Sequence, residues 1–160
     1  MIVIIYRIME ENNPIWDKVK EKIFNQVDLG TFDFENITLN APLGDHWWKT
    51  INENGETCGF AWGDYTSNGF EISLVVGEEY RRDGLGSQII EELEHIVKCQ
   101  GVYNMVAIIQ STNPNAVKMI DWLYSKGYKL IFTNTLKTKE FATNLAKRQM
   151  VDLELVKELS

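Results

Sequence analysis

Several short stretches of the chain either alternate apolar and polar residues or consist of consecutive apolar residues. Both patterns predict β-strands. Asn54-Gly55 between two such stretches is a strong hairpin signal, and Ser67-Asn68-Gly69 marks the next turn. The pattern predicts seven strands, over residues 2–9, 47–51, 57–65, 70–76, 105–110, 129–134 and 149–156.

Three other segments place apolar residues every three to four positions, which predicts amphipathic helices. Pro14 suits a first helical turn, with Asn12 or Asn13 as its cap. Helices are expected over residues 14–27, between Gly84 and Gly101, and over 115–125, whereas the polar residues 137–147 give no clear prediction. The order of elements predicts an α+β fold, with a mixed, mainly antiparallel central sheet flanked by helices on both faces.

The composition adds limits on partners. The 160 residues contain no linker or repeat, so we expect residues 1–160 to form a single domain. The net charge of −7 disfavours nucleic acid, whose binding needs a basic stripe, and disfavours an anionic membrane surface. Two cysteines and two histidines have no metal-ligand or disulfide spacing, so no metal is expected. The apolar start is too short to span a membrane and lacks a basic lead, so we expect a cytoplasmic protein.

The region from Leu74 to Ser87 carries the strongest functional signal. A strand leads through a turn with Gly84 and Gly86 directly into a helix, which gathers free backbone N–H groups at the positive end of the helix. We expect both glycines to allow positive φ and a close approach to a phosphate or pyrophosphate. No Gly-Lys-Ser/Thr of a P-loop is present, and Ile89 replaces the third glycine of the dinucleotide fingerprint. On the turn alone, a plain strand-to-helix connection remains the alternative.

Two motifs in order resemble the GNAT N-acetyltransferase superfamily. Arg81-x-x-Gly84-x-Gly86 is similar to the pyrophosphate-binding signature of that family. Asn113-x-x-Ala116 follows a buried strand and is similar to a second segment of the family. Glu78 departs from the pattern, because many members carry proline there. The resemblance covers about residues 71–128 and implies a GNAT fold that uses acetyl-CoA as cosubstrate.

The resemblance also implies how acetyl-CoA is bound. If the strand at residues 74–76 is separated from its neighbour, its backbone N–H groups face the thioester carbonyl and the pantetheine arm. Asn113 holds the pantetheine or caps the next helix, and these roles do not exclude each other. The implied cofactor-binding residues are Leu74, Val75, Val76, Arg81, Arg82, Asp83, Gly84, Leu85, Gly86, Ser87 and Asn113.

Two residues are candidates for proton transfer. Glu71 is the candidate general base, since the family often has a carboxylate there, and strand alternation places it on one face with Ser73 and Val75. A carboxylate paired across the sheet, or simply open to water, is the alternative. The family commonly has a tyrosine general acid at the position of Ile120, and Tyr124 follows one helical turn later. Tyr124 is the candidate acid, or else a core aromatic, in which case the thiolate leaves unassisted.

The sequence therefore suggests an N-acetyltransferase that moves an acetyl group from acetyl-CoA to a primary amine by direct transfer in a ternary complex. A small-molecule acceptor is favoured over a protein, the acyl group can be acetyl or longer, and a homodimer is expected only from the family. Trp47 and Trp48 point to opposite faces of a strand, so one of them can line the acceptor site. Other candidates for that lining are Trp62, Tyr65, Phe32 and Phe34. The alternatives are a non-catalytic GNAT-fold module that holds acyl-CoA as a sensor or scaffold, and an unrelated nucleotide-binding domain.

Overall fold

The computed structural model describes residues 6–32 and 37–160, so the start of the first expected strand and Phe34 lie outside the described residues. Within this part of the chain there are eight strands and four α-helices. The strands are β1 (Arg7–Glu10), β2 (Trp47–Ile51), β3 (Thr57–Thr66), β4 (Gly69–Val76), β5 (Asn104–Ile109), β6 (Lys129–Phe132), β7 (Thr135–Leu136) and β8 (Leu153–Glu158). The helices are α1 (Lys18–Phe24), α2 (Leu85–Cys99), α3 (Ala116–Ser125) and α4 (Lys139–Arg148).

All eight strands form one sheet in the order β1-β2-β3-β4-β5-β8-β6-β7. Every neighbouring pair is antiparallel except β4 and β5, which are parallel because α2 connects them. The expected mixed, mainly antiparallel sheet is confirmed.

The two faces of the sheet are covered by different helices. The larger core lies under α2, α3 and α4, and it includes Ile72 of β4. A smaller cluster under α1 contains Ile23, Trp47, Phe60 and Val75. Since side chains alternate along a strand, β4 contributes to both clusters, and Glu71 lies on the same face as Val75. Helices therefore cover both faces, as expected.

The first helix is shorter than predicted. Neither Asn12 nor Asn13 caps it; the cap is Asp17, whose carboxylate accepts a hydrogen bond from the Lys20 backbone N–H at 2.9 Å. The prediction of a helix from Pro14 is wrong, because the residues before Asp17 pair with another segment: Ile15 forms a β-bridge with Pro42.

The C-terminal third differs from the predictions in two places. The expected strand at 129–134 ends at Phe132, because Thr133 and Asn134 take positive φ in a turn. The polar segment that gave no clear prediction forms α4. The last strand begins at Leu153 rather than at Gln149, since Gln149 has φ 48° and ends α4.

Candidate functional site

The turn between β4 and α2 leaves several backbone donors free. Gly84 precedes α2 with φ +72°, and a Cβ there would meet nothing within 4 Å, so the position is open and requires glycine for conformational reasons. The first backbone bond of α2 runs from the Gln88 N–H to the Gly84 carbonyl at 3.2 Å, so the N–H groups of Leu85, Gly86 and Ser87 have no acceptor inside the helix. Three donors at the positive end of a 15-residue helix suit an anion.

Gly86 plays a different part from the one predicted. It is the second residue of α2 and does not have positive φ, so that prediction is wrong. A Cβ at Gly86 would lie 3.6 Å from Cζ2 of Trp122 and 4.0 Å from Cδ1 of Leu74. The missing side chain therefore leaves space between the first turn of α2, the indole of Trp122 and β4.

The charged residues of the turn are used unequally. The Arg81 guanidinium donates to two backbone oxygens, from Nε to Val76 at 3.1 Å and from Nη2 to Gln26 at 3.0 Å. The carboxylate of Asp83 accepts from the Tyr6 hydroxyl at 3.2 Å, and burial, followed by Asp83, raises the pKa of Tyr6. Both arginines are exposed, but the Arg82 side chain forms no hydrogen bond or ion pair with the described residues, so its charge is the one that the protein leaves unpaired.

The ladder between β4 and β5 is much shorter than either strand. Only Phe70–Met105 and Glu71–Val106 are paired, although β4 continues to Val76 and β5 to Ile109. We call the unpaired region, between residues 72–76 of β4 and 107–109 of β5, the β4–β5 seam. The strand separation that the acetyl-CoA interpretation requires is present.

The direction of the backbone groups at the seam follows from the β3–β4 hairpin. Its two-residue turn makes Thr66 and Gly69 a hydrogen-bonded pair, so alternate residues of β4 bond to β3. The Gly77 N–H still donates to Cys58 of β3, at 2.7 Å, which fits this alternation. The N–H groups of Leu74 and Val76 therefore point into the seam, whereas that of Val75 points toward β3.

Glu71 stands at the closed end of the seam. It is the last residue of β4 that pairs with β5, and its side chain is exposed on the α1 face. Its cross-strand neighbour on β3 is Asp64, which is also exposed. The Glu71 carboxylate forms no hydrogen bond or ion pair with the described residues and is open to water, so it is accessible to a ligand that approaches from this face.

Tyr124 has both hydrogen-bonding functions of its hydroxyl engaged. The O–H donates to the backbone carbonyl of Lys137 at 2.8 Å and accepts from the Leu130 N–H at 3.0 Å. These contacts connect α3 to β6 and to the residues before α4. Ile120, at the position where the family commonly has its tyrosine, is fully buried. The geometry of Tyr124 is that of a structural residue.

Asn113 shapes the loop between β5 and α3. Its side chain is buried, and Oδ1 accepts from the Asn115 N–H at 2.8 Å, just before α3. The Gln149 side chain donates to the Asn113 carbonyl at 2.9 Å. The Oδ1 atom of Asn113 thus closes the turn before α3 by bonding to the N-cap residue Asn115, and it does not cap an N–H group of the helix itself.

Aromatic side chains line the α1 face beside the seam. Trp47 and Trp62 stack with ring centroids 4.9 Å apart, and Phe32 contacts Trp62 edge-on at 5.1 Å. Trp48 lies on the opposite face in the larger core, as strand alternation predicted. A cavity of about 530 Å³ opens on the α1 face, with walls that include Trp16, Phe24, Phe32 and residues 27–30. Residues 28–30 follow no periodic pattern in the sequence, so no local signal marked them as part of a cavity.

Two kinds of feature are absent from the described part of the chain. No group of three or more His, Cys, Asp or Glu residues there could hold a metal ion. None of the helices in residues 6–32 and 37–160 is long and apolar enough to cross a membrane.

Comparison with known proteins places this geometry in a family. The family model described as Acetyltransferase (GNAT) family matches residues 5–123. No curated protein matches the sequence.

Solved structures share the fold at low identity. One is N-acetylglutamate synthase from Neisseria gonorrhoeae, complexed with coenzyme A and N-acetyl-glutamate, with a TM-score of 0.66 at 12% identity. The match spans 100% of this chain and 36% of that one. A GNAT-family acetyltransferase from Staphylococcus aureus Mu50 has a TM-score of 0.63 at 13% identity, over 98% of this chain and 100% of that one. Phosphinothricin acetyltransferase from Sinorhizobium meliloti, in complex with AcCoA, has a TM-score of 0.58 at 13% identity, over 97% and 89%. With a family model that matches residues 5–123 and the same fold in these structures, the chain belongs to the GNAT acetyltransferase family.

Proposed function

We propose that the protein is an N-acetyltransferase that transfers the acetyl group of acetyl-CoA to a primary amine by direct transfer in a ternary complex. The observation that carries this proposal is the β4–β5 seam, where two neighbouring strands of one sheet stop pairing after two residue pairs. Backbone N–H groups of folded proteins are almost always paired, with protein groups, with water or with a ligand. A ligand with amide and carbonyl groups, such as the pantetheine arm, would satisfy those along the seam.

The donor would lie along β4 with its pyrophosphate at α2. The N–H groups of Leu85, Gly86 and Ser87, at the start of α2, would bind the pyrophosphate, and Arg82 would add positive charge. Leu74 and Val76 would direct N–H groups to the pantetheine and the thioester carbonyl. The amide of Asn113 would approach the pantetheine from the β5 side. The shape of the donor site would depend on the backbone conformation and on the contacts described above for Val75, Arg81, Asp83 and Gly84.

The chemistry needs a free amine and a stabilised oxyanion. Removing a proton from an alkylammonium of pKa near 10 at pH 7 costs roughly 4 kcal/mol. Glu71 would accept that proton, directly or through water, and the amine nitrogen would then attack the thioester carbon. One well-placed N–H on the oxyanion is worth about 10²–10³ in rate. When the C–S bond breaks, the thiolate leaves without a general acid, because a thiolate is only weakly basic near neutral pH, and the second proton of the amine nitrogen reaches it through water.

The acceptor would approach from the α1 face, where Glu71 is exposed and the aromatic cavity opens. We propose a small amine rather than a protein, because the cavity of about 530 Å³ is of small-molecule size. The net charge of −7 would favour a cationic acceptor. A single-domain, cytoplasmic homodimer is part of the proposal on sequence and family grounds.

One observation favours a second candidate, a non-catalytic module that binds acyl-CoA. Tyr124 already donates its proton to a backbone carbonyl, so the candidate acid is engaged away from the thiolate. Both candidates predict CoA binding. Only the enzyme predicts turnover.

The test combines thiol release and thermal stability on the same samples. Purified protein with acetyl-CoA and a panel of small amines should release free CoA thiol with at least one amine class. CoA at 100 times its Kd should stabilise the native state by about 2.7 kcal/mol. Stabilisation without turnover would favour the binding module. ATP, which lacks pantetheine, is the control: stabilisation by ATP but not by CoA would overturn both candidates in favour of a nucleotide-binding domain.

A further inference from the structure

Residues 26–30, directly after α1, lie across the ends of β4 and β5, and we call them the strap. One end of the strap is bonded to the turn that follows β4. The Gln26 carbonyl accepts from Arg81 Nη2 at 3.0 Å, and Gln26 Oε1 accepts from the Glu78 N–H at 2.8 Å. The backbone and the side chain of one residue are thus both held by the turn that would bind the pyrophosphate.

The other end of the strap is bonded to the loop that follows β5. Asp28 Oδ2 accepts from the Asn115 side-chain amide at 2.7 Å, and the Gly30 carbonyl accepts from the Thr112 hydroxyl at 2.7 Å. This is the loop that Asn113 shapes. The strap therefore connects the two loops at the open end of the β4–β5 seam.

Gly30 shows how closely the strap approaches the second loop. It has φ +88°, and a Cβ there would lie 2.3 Å from the Thr112 carbonyl oxygen and 3.0 Å from its carbon. Backbone atoms cannot yield as a flexible side chain does. Only glycine fits this contact.

The seam needs something to hold it apart. Continuing the register of the two existing pairs would join Ile72 to Ala107, Ser73 to Ile108 and Leu74 to Ile109. Two facing edges with unpaired N–H and C=O groups tend to pair. We propose that the strap fixes the separation of the two loops and so keeps the seam open for the donor, with Gln26, Gly30 and Thr112 as positioning residues.

The inference rests on the proposed function only for the identity of the donor. Apparent affinity scales with the fraction of molecules whose seam is open. Thr112→Val removes one hydrogen bond at nearly constant shape, and should weaken CoA binding by up to about fivefold, the equilibrium equivalent of one hydrogen bond's net contribution. Gly30→Ala abolishes the close contact and should weaken CoA binding by about tenfold or more, because the strap can no longer reach the loop.

Gly101→Ala is the matched control. Gly101 also has positive φ, +83°, but a Cβ there would meet nothing within 4 Å. It therefore introduces a comparable backbone strain, at the end of α2, without a clash. Isothermal titration with CoA should give a Kd for Gly101→Ala within twofold of the unmodified protein. A Kd for Gly30→Ala equal to that of Gly101→Ala would overturn the proposal.

Amide hydrogen exchange in the free protein separates a positioning role from a merely structural one. In the unmodified protein the N–H groups of Leu74 and Val76 should exchange rapidly. In Gly30→Ala and Thr112→Val they should exchange at least about fivefold more slowly, because strands that close the seam protect them. General destabilisation would speed exchange instead, and unchanged or faster exchange in both variants would refute the strap. If the unmodified protein binds no CoA, the proposed function fails, while the exchange result still decides the role of the strap.

Discussion

Replacing Tyr124 with phenylalanine separates a catalytic from a structural role for this residue. The change removes only the hydroxyl, which donates to the Lys137 carbonyl at 2.8 Å and accepts from the Leu130 N–H at 3.0 Å. The ring remains and keeps its packing in the larger core. The effect of the substitution is therefore the loss of two hydrogen bonds between α3 and the β6–α4 region.

The magnitude follows from those two bonds. Each is worth about 1 kcal/mol net, so Tyr124→Phe should lower the free energy of unfolding by about 2 kcal/mol. For a domain of this size, 1 kcal/mol shifts the melting temperature by about 2–4 °C, so a decrease of about 4–8 °C is expected. The kcat of acetyl transfer, measured well below the melting temperature, should stay within about twofold, because a group already bonded to backbone transfers no proton to the thiolate.

Differential scanning calorimetry and steady-state kinetics on the same preparation measure both quantities. Tyr103→Phe is the control, since Tyr103 is 55% exposed and its ring is outside both clusters. That variant should melt with the unmodified protein. A loss of kcat of about 10²-fold for Tyr124→Phe, with a melting temperature lowered by less than about 2 °C, would refute this reasoning and establish the tyrosine as the general acid.

Three further predictions concern other parts of the molecule. Glu71→Gln should lower kcat/KM by about 10²–10⁴-fold, because the variant lacks the general base. The melting temperature should not change, because the carboxylate is exposed. Unchanged kinetics would exclude Glu71 as the base. Lys20→Met should lower the free energy of unfolding in urea by about 3–5 kcal/mol, because Lys20 is fully buried and Glu11, 2.9 Å away, would lose its partner. The double variant with Glu11→Leu should recover most of this loss. A loss below about 1 kcal/mol in the single variant would contradict the prediction. The free energy of unfolding should fall as pH rises from 10 toward 12. Burial raises the pKa of Tyr128, and it raises the pKa of Tyr80 from 10.0 to about 12. The native state therefore keeps protons that the unfolded chain releases in this pH range. In Tyr128→Phe this decline should be shallower by up to about 1.4 kcal/mol per pH unit, and an equal slope would count against the buried phenol.

Elements defined by local signals could be predicted from the sequence. The strand at residues 47–51 was predicted with its observed bounds, because a hairpin turn and clear alternation surround it. The helix α4 was not predicted, because its one apolar stripe, of Phe141, Ala142, Leu145 and Ala146, is short and lies in a predominantly polar segment. Its stability comes from packing on α3, which no local pattern records.

The candidate site divides in the same way. The turn with Gly84 could be located, because strand, turn and helix are adjacent in sequence. The β4–β5 seam could not be predicted from the sequence and entered only as a condition of the proposed chemistry. The reason is that the end of the pairing, at Glu71 and Val106, depends on two strands that are distant in sequence. The direction of the Tyr124 hydroxyl likewise depends on the segment at Lys137, which had no predicted structure.

The stacked pair of Trp47 and Trp62, 4.9 Å apart with an interplanar angle of 12°, also has an optical consequence. Two indoles this close couple their electronic transitions, which gives a circular-dichroism couplet sensitive to their mutual orientation. Trp122 lies on the other side of β4, beside the first turn of α2, and its fluorescence emission depends on the polarity there. The couplet therefore reports on events at the α1 face. The chain has five tryptophans, so the difference in emission between the unmodified protein and Trp122→Phe isolates Trp122, which reports on events at the turn before α2.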